Sequence, residues 1–241
     1  MDNRTEELAG GVWRIEAAPL VNVYLLANDG VGADEGLTLV DTGLKSSGPR
    51  VVRSVRMLGF DPRALRDVVL THWHADHAGS AARFANSSAG TQVRVAAADL
   101  PMVRDGGPFQ ATTAGPADMT RAGRLFARAA GKPAAPVPDA TALQAGEVLD
   151  VCGGAVVVPA AGHTAGHIAL HLPSRGVLLA GDAVWNVWRL SRGPRFACSR
   201  LTAVPDTVRR LASLSDVGTL GVAHGRPVDR DVSARLATLI P

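Results

Sequence analysis

Thr71-His72-Trp73-His74-Ala75-Asp76-His77 directly follows the apolar run Val68–Leu70. Imidazole and carboxylate are ordinary ligands of zinc and similar divalent ions, and this stretch packs three of one and one of the other into six residues. A strand that ends on such a cluster predicts a chain turning sharply at the rim of a sheet. His72 and His74 then point to one centre. Asp76 and His77, opening a helix, point to a neighbouring one. A single tetrahedral ion does not need four such groups; two adjacent ions do, provided the rest of the chain supplies more.

Working outward, the same pattern recurs. His163 lies in Gly162-His163-Thr164-Ala165-Gly166-His167 after the apolar stretch Ala155–Pro159. Asp182 follows Val177–Ala180, and His224 follows Thr219–Val222. Each is a polar group at the C-terminal end of an apolar strand, and strand ends on one rim can converge. His167 reads as a structural histidine or one that supports a ligand from behind, and His171 as a strand residue. Gly43, Gly79 and Gly181 answer backbone needs beside these groups.

The remaining elements follow from periodicity. Gly11–Ala17, Leu20–Ala27, Leu37–Asp41, Asp67–Leu70, Gln92–Ala96 and Ile168–Leu172 read as strands. Ser46–Leu58, with Ser46 or Ser47 as cap and Gly59 as stop, reads as a helix, as do Val204–Leu214 and Asp231–Leu239. Strands in both halves with helices between and after them predict α/β layers around two packed sheets. The stretch 101–141 interrupts this rhythm. Within it Met119, Ala122, Leu125, Phe126 and Ala129 share a helical face, and Arg121, Arg124 and Arg128 another. It reads either as a cap over a site or as a surface helix with a solvated basic face.

Composition narrows the classes. The 241 residues are 46% hydrophobic and 20% charged, which supplies a large core and excludes a mainly disordered chain. No apolar run approaches the roughly 18 residues of a membrane span. The N-terminus lacks the basic and apolar regions of a secretory signal, and Cys152 and Cys198 make no disulfide framework, so the cytoplasm is the expected compartment. The formal charge is +3, yet the basic residues are arginines scattered along the chain apart from Lys45 and Lys132, and aromatics are 4%. That argues against nucleic acid as a partner. A small-molecule substrate is expected, with a modest positive field that would suit an anion.

Asp41 in Val40-Asp41-Thr42-Gly43, the His-x-His-x-Asp-His run, His163, Asp182 and His224, in that order, resemble the metallo-β-lactamase superfamily over nearly the whole chain. The resemblance implies a single four-layer αββα sandwich with the site at one edge between the sheets. It implies that His72, His74 and His163 hold a first metal, that Asp76, His77 and His224 hold a second, and that Asp182 bridges them. Asp41 would support the metal-binding loop through hydrogen bonds. The implied cofactor is two divalent ions, zinc by default, with iron or manganese tolerated by similar sites. Two such ions acidify a shared water. The bridging hydroxide would attack a small thioester or ester, with Asp76 accepting its proton.

The branches of the superfamily separate on particular residues. A β-lactamase with a cysteine ligand would need Cys where Asp182 stands, and the flavodiiron oxygen reductases usually show Glu where His74 stands. Asp182 resembles the bridge of glyoxalase II-type thioesterases, lactonases and related hydrolases. The helical domain of full-length glyoxalase II has no counterpart after His224, so another means of holding a thiol is expected. The tyrosine of lactonases has only Tyr24, in an N-terminal strand, as a counterpart. Lactone or β-lactam hydrolysis, and a mononuclear iron dioxygenase acting on a persulfide, are the alternatives. For specificity, Trp185, Asn186, Trp188, Arg189, Arg192 and Arg195 follow the bridging aspartate. They either line the substrate mouth or pack a tryptophan pair on the core beneath surface arginines. Trp73 is a further candidate for the pocket. The sequence leaves the oligomeric state open.

Overall fold

The computed structural model describes residues 4–28, 36–87, 90–106 and 134–240. Two sheets form its centre. The first runs in the order β1 (Thr5–Ala9), β2 (Val12–Ala18), β3 (Val21–Leu26), β4 (Leu37–Val40), β5 (Leu65–Val69), β6 (Gln92–Ala96), β7 (Thr141–Leu143). Its first four strands are antiparallel, and β4 to β7 are parallel. Along the second half of the chain come β8 (Val148–Leu149), β9 (Ala155–Pro159), β10 (Ile168–Leu172), β11 (Val177–Leu179), a small hairpin of β12 (Trp185–Asn186) and β13 (Leu190–Ser191), and β14 (Thr219–Gly221). The second sheet is ordered β14-β11-β10-β9-β8, antiparallel except for the parallel pair β11/β14.

Alternation along the strands assigns the layers. Leu25, Leu39 and Val68 face one side of the first sheet. There they pack with Val51 and Val55 of α1 (Gly48–Met57), Phe84 of α2 (Ala81–Ala85) and Val103 of α3 (Leu100–Asp105). Their neighbours Leu26, Val40 and Val69 face the other way, onto Val157, Leu170 and Leu179 of the second sheet. On the far side of that sheet, Leu178 and Leu220 meet Leu211 of α4 (Val204–Ala212) and Val232 and Leu236 of α5 (Val232–Ala237). The order is therefore helix, sheet, sheet, helix, as the resemblance implied.

Several boundaries differ from the sequence reading. β1, β7, β8 and the β12–β13 hairpin carry little apolar alternation, and pairing with a neighbour defines them. Residues 75–78 form a turn, and α2 starts only at Ala81, so Asp76 and His77 do not open a helix. At the ends of the stretch 101–141, α3 and β7 belong to the framework. The amphipathic pattern of 119–129 lies outside the described residues. Among the described residues, no helix is long and apolar enough to cross a membrane.

Candidate metal centre

Strand direction brings the polar groups to one edge. β4, β5 and β6 are parallel. β9 and β11 both pair antiparallel with β10 and so run the same way, with β14 parallel to β11. Asp41, the 72–77 stretch, His163, Asp182 and His224 all leave the C-terminal ends of these strands. The turn after β5 is closed by bonds from the His77 and Ala78 amides to His74 O (2.9 and 2.8 Å). It is tight enough that a Cβ at Gly79 would sit 2.2 Å from Ala75 O.

Two groups of ligand atoms result. His74 Nδ1 lies 3.0 Å from His72 Nε2 and 2.8 Å from His163 Nε2. His224 Nε2 lies 3.3 Å from Asp76 Oδ2, and His77 Nε2 lies 3.7 Å from it. Asp182 stands between the groups. Its Oδ2 is 3.3 Å from His163 Nε2, and its Oδ1 is 3.4 Å from His77 Nε2 and 3.3 Å from His224 Nε2. An ion could be held by His72, His74 and His163, by His72, His77 and Asp182, or by Asp76, His77 and His224. The buried atoms His77 Nε2, His224 Nε2 and Asp182 Oδ1 have no hydrogen-bond partner. Unpartnered buried polar atoms turned to one point are what cation ligation satisfies, so the residues fit a metal.

Bonds behind the cluster set which ring nitrogen is free. Asp41 Oδ1 accepts the Thr71 amide at 2.8 Å, and its Oδ2 accepts both the Thr71 hydroxyl and His77 Nδ1–H at 2.8 Å. With its proton given to Asp41, the Thr71 hydroxyl can only accept from His72 Nδ1, 3.1 Å away. His224 Nδ1–H donates to Leu20 O at 3.0 Å. In all three rings Nε2 is left to ligate. Asp41 and Leu20, the two residues receiving the protons of His77 and His224, both have positive φ, 61° and 62°. For non-glycine residues that conformation is costly, and here it aims an acceptor at a histidine.

The electrostatics split the cluster. Burial holds His72 and His163 well below the ordinary imidazole range and His74 at about 4, so all three are neutral with lone pairs available. Burial also acts against charge on His77 and His224, but carboxylates outweigh it. Asp182, Asp76 and Asp41 hold His77 well above its usual range, and Asp182 and Asp76 raise His224 to about 9. Asp76 and Asp182 stay ionised despite burial because these imidazoles face them. The carboxylates on this side of the cluster favour positive charge among them.

The other expected residues divide. His167 is buried behind the cluster, its Nε2 accepting the Asp182 amide at 2.9 Å. His171 is buried in β10. Trp73 packs on the core of the first sheet, and its ring meets that of His74 at 4.5 Å. Trp185 lies 4.3 Å, ring to ring, from His224. The Asn186 amide donates to His224 O, and its side chain to Arg226 O. Trp188 is 96% exposed at the hairpin tip, beside the exposed Arg189, so the tryptophans do not pack as a pair on the core. Tyr24 donates its hydroxyl to Val222 O at 2.7 Å, and burial holds it protonated.

Two polar residues escape the sequence reading. Asn22 Nδ2 donates to Val222 O and Gly225 O (2.9 and 2.7 Å), on either side of His224. Asp99, after β6, is buried. Its Oδ2 accepts the Thr164 hydroxyl at 2.6 Å, its Oδ1 accepts the Gly166 amide at 2.8 Å, and the Trp73 amide also donates to it. Burial pushes its carboxyl up to about 6 against the pull of these bonds. The rule that finds Asp182 and His224, a polar group just past an apolar strand, applies equally to Asp99.

Comparison with known proteins gives the family and the fold. A family model described as "Metallo-beta-lactamase superfamily" matches residues 18–211. The chain is 30% identical to a hydroxyacylglutathione hydrolase of Rhodobacter capsulatus over 73% of its own length and 55% of that protein's. It is 28% identical to the uncharacterized protein YobT of Bacillus subtilis (strain 168), over 71% of its own length and 66% of that protein's. It thus spans less than two thirds of either relative. Among solved structures, a metallo-beta-lactamase family protein from Thermus thermophilus superposes with a TM-score of 0.69 at 26% identity, covering 96% of this chain and 79% of that one. A metallo-beta-lactamase from Cronobacter sakazakii gives 0.68 at 20% identity, covering 92% and 78%, a likeness of fold.

Proposed function

The chain belongs to the metallo-beta-lactamase superfamily, and from that premise we propose that it is a dinuclear metallohydrolase acting on a small thioester or ester. The observation that carries this reading is the orientation of Asp182, which turns one oxygen to His163 and the other to His77 and His224. One centre would be held by His72, His74 and His163, the other by Asp76, His77 and His224, with Asp182 shared. Divalent ions there supply Lewis acidity and a water acidified toward neutral pH, with zinc the default for a histidine-rich set.

The chain's own residues do the rest. Neutral His72, His74 and His163 add no charge to their centre, while the three carboxylates Asp41, Asp76 and Asp182 concentrate negative charge around the other. Asp76 is the carboxylate that faces outward: its side chain is 35% exposed, against 3% for Asp182. Asp76 is therefore placed to take a proton from an attacking water and pass it to a leaving thiol or alcohol. Trp185, against the His224 ring, and Trp73, against the His74 ring, flank the group on two sides and offer apolar faces to an acyl chain. The thioester is favoured by the 30% identity to a hydroxyacylglutathione hydrolase. A soluble cytoplasmic setting with a small anionic substrate, and neither nucleic acid nor membrane as partner, completes the proposal.

The test is elemental analysis of protein purified without chelator, followed by a panel of thioesters, lactones and β-lactams. Two ions per chain and thioester turnover are expected. One iron per chain with oxygen consumption on a persulfide would replace this reading with the dioxygenase.

A further inference from the structure

Asp99 occupies the position before the first residue of α3, where an aspartate ordinarily accepts an amide of the first helical turn. It makes no such bond. Its carboxylate reaches instead to two loops that are far apart in sequence. Trp73, whose amide it accepts, lies between His72 and His74; Thr164 and Gly166 follow His163. Gly166 is confined by it, since a Cβ there would sit 2.6 Å from Asp99 N and 2.7 Å from Asp99 Oδ1. At their base the two loops are joined by the Ile168 amide donating to Thr71 O at 2.9 Å. Nearer the histidines, the carboxylate of Asp99 joins them.

We infer that Asp99 is a positioning residue that sets the spacing of His72 and His74 against His163, and with it the affinity of the three-histidine centre, while leaving the Asp76–His77–His224 centre untouched. The inference rests on the metal-centre reading above and extends it. Three imidazole nitrogens lie within 3.0 Å of a neighbour in that group, contributed by two loops. A carboxylate that accepts donors from both loops fixes the distance that ligation needs. The second centre takes its support elsewhere, from Asp41 and from Leu20.

The experiment measures zinc affinity by chelator competition for Asp99→Asn in two backgrounds. His224→Ala disables the second centre and leaves the three-histidine centre; His163→Ala does the reverse. Loss of a supporting partner typically costs 10–100-fold in metal affinity, so a loss of about that size is expected in the His224→Ala background, and less than about 3-fold in the His163→Ala background. Thr164→Val, which removes one donor and keeps the carboxylate, should show a smaller loss with the same selectivity, and decides the matter if Asp99→Asn fails to fold. Equal losses in both backgrounds mean general loosening and overturn the inference, as does no loss in either. Failure of the unmutated chain to bind zinc at all overturns the metal-centre reading itself.

Discussion

Leu20 O accepts His224 Nδ1–H at 3.0 Å, across 204 positions of sequence. Leu20 lies in the turn between β2 and β3 with φ 62°, and His224 follows β14. The bond spans the two sheets, so the second group of ligands is completed only when the halves of the chain dock. The Asn22 amide, which donates to Ala223 O, reinforces the same junction.

Removing the shared carboxylate should disrupt both centres. Asp182→Ala is expected to lower bound metal to one ion or fewer per chain and to slow turnover by more than about 100-fold, the upper end of the cost of losing a mere supporting partner. Elemental analysis and initial rates check this. Parent-like metal content together with a parent-like rate would show that the bridge is assigned to the wrong residue.

Asp41→Asn tests support from behind. An asparagine tolerates the left-handed backbone at this position, and its oxygen can still serve Thr71. Its amide group would face His77 Nδ1–H donor to donor. Zinc affinity should fall by about 10–100-fold with the fold intact by circular dichroism. An unchanged affinity would mean that the Asp41–His77 bond plays no part in ligation.

Gly181→Ala should destabilise the metal-free protein. The residue has φ 52°, and a Cβ there would lie 2.8 Å from His167 Nε2 and 2.9 Å from Thr71 Cβ. Crowding of this kind costs about 1–3 kcal/mol, read as a lower midpoint in urea. A midpoint equal to the parent's would contradict the contact.

Asn22→Ala leaves the carbonyl of Gly225 without this donor, while that of Val222 keeps the Tyr24 hydroxyl. At about 1–3 kcal/mol for a buried polar group left unsatisfied, a loss of about that size is expected in urea unfolding. A loss below about 0.5 kcal/mol, the range of ordinary surface substitutions, would show that the clamp is not needed.

Asp99 should give stability a particular pH dependence. Its folded-state pKa, about 6, lies above the ordinary 3.8 because of burial. As pH falls, the folded state takes up this proton first. The stabilisation is complete below the unfolded value and is lost as pH rises through the folded one. Between about pH 4.5 and 7.5 the metal-free parent should therefore lose about 2 kcal/mol more than Asp99→Asn, other titrations cancelling in the comparison. Equal changes in the two proteins would mean that the carboxyl is not shifted.

The ligand-bearing stretch at 72–77 and the apolar strands before Asp41, His163, Asp182 and His224 are legible because both signals are local. A run of apolar residues predicts a buried strand, and a histidine or aspartate after it predicts a group at a rim. The layer order follows, since alternating strands with amphipathic helices between them can bury their faces in few ways. β1 and β8 are not legible, because short strands with few buried residues are defined by the partner that pairs with them. The turn at 75–78 reads as a helix start from the sequence, yet backbone bonds to His74 O and from Thr42 close it, and Thr42 belongs to another strand end.

By itself, then, the order of residues determined which side chains can bind a cation and that strand ends carry them. The tertiary structure decided how they are grouped, which oxygen of Asp182 faces which histidines, and that Asp99, Asn22 and Leu20 hold the loops from outside. The reason is physical. Chemical identity and hydrophobic period are properties of neighbouring residues, whereas the distance between His74 and His163 exists only after two sheets have packed and their strand directions have brought separate ends to one edge.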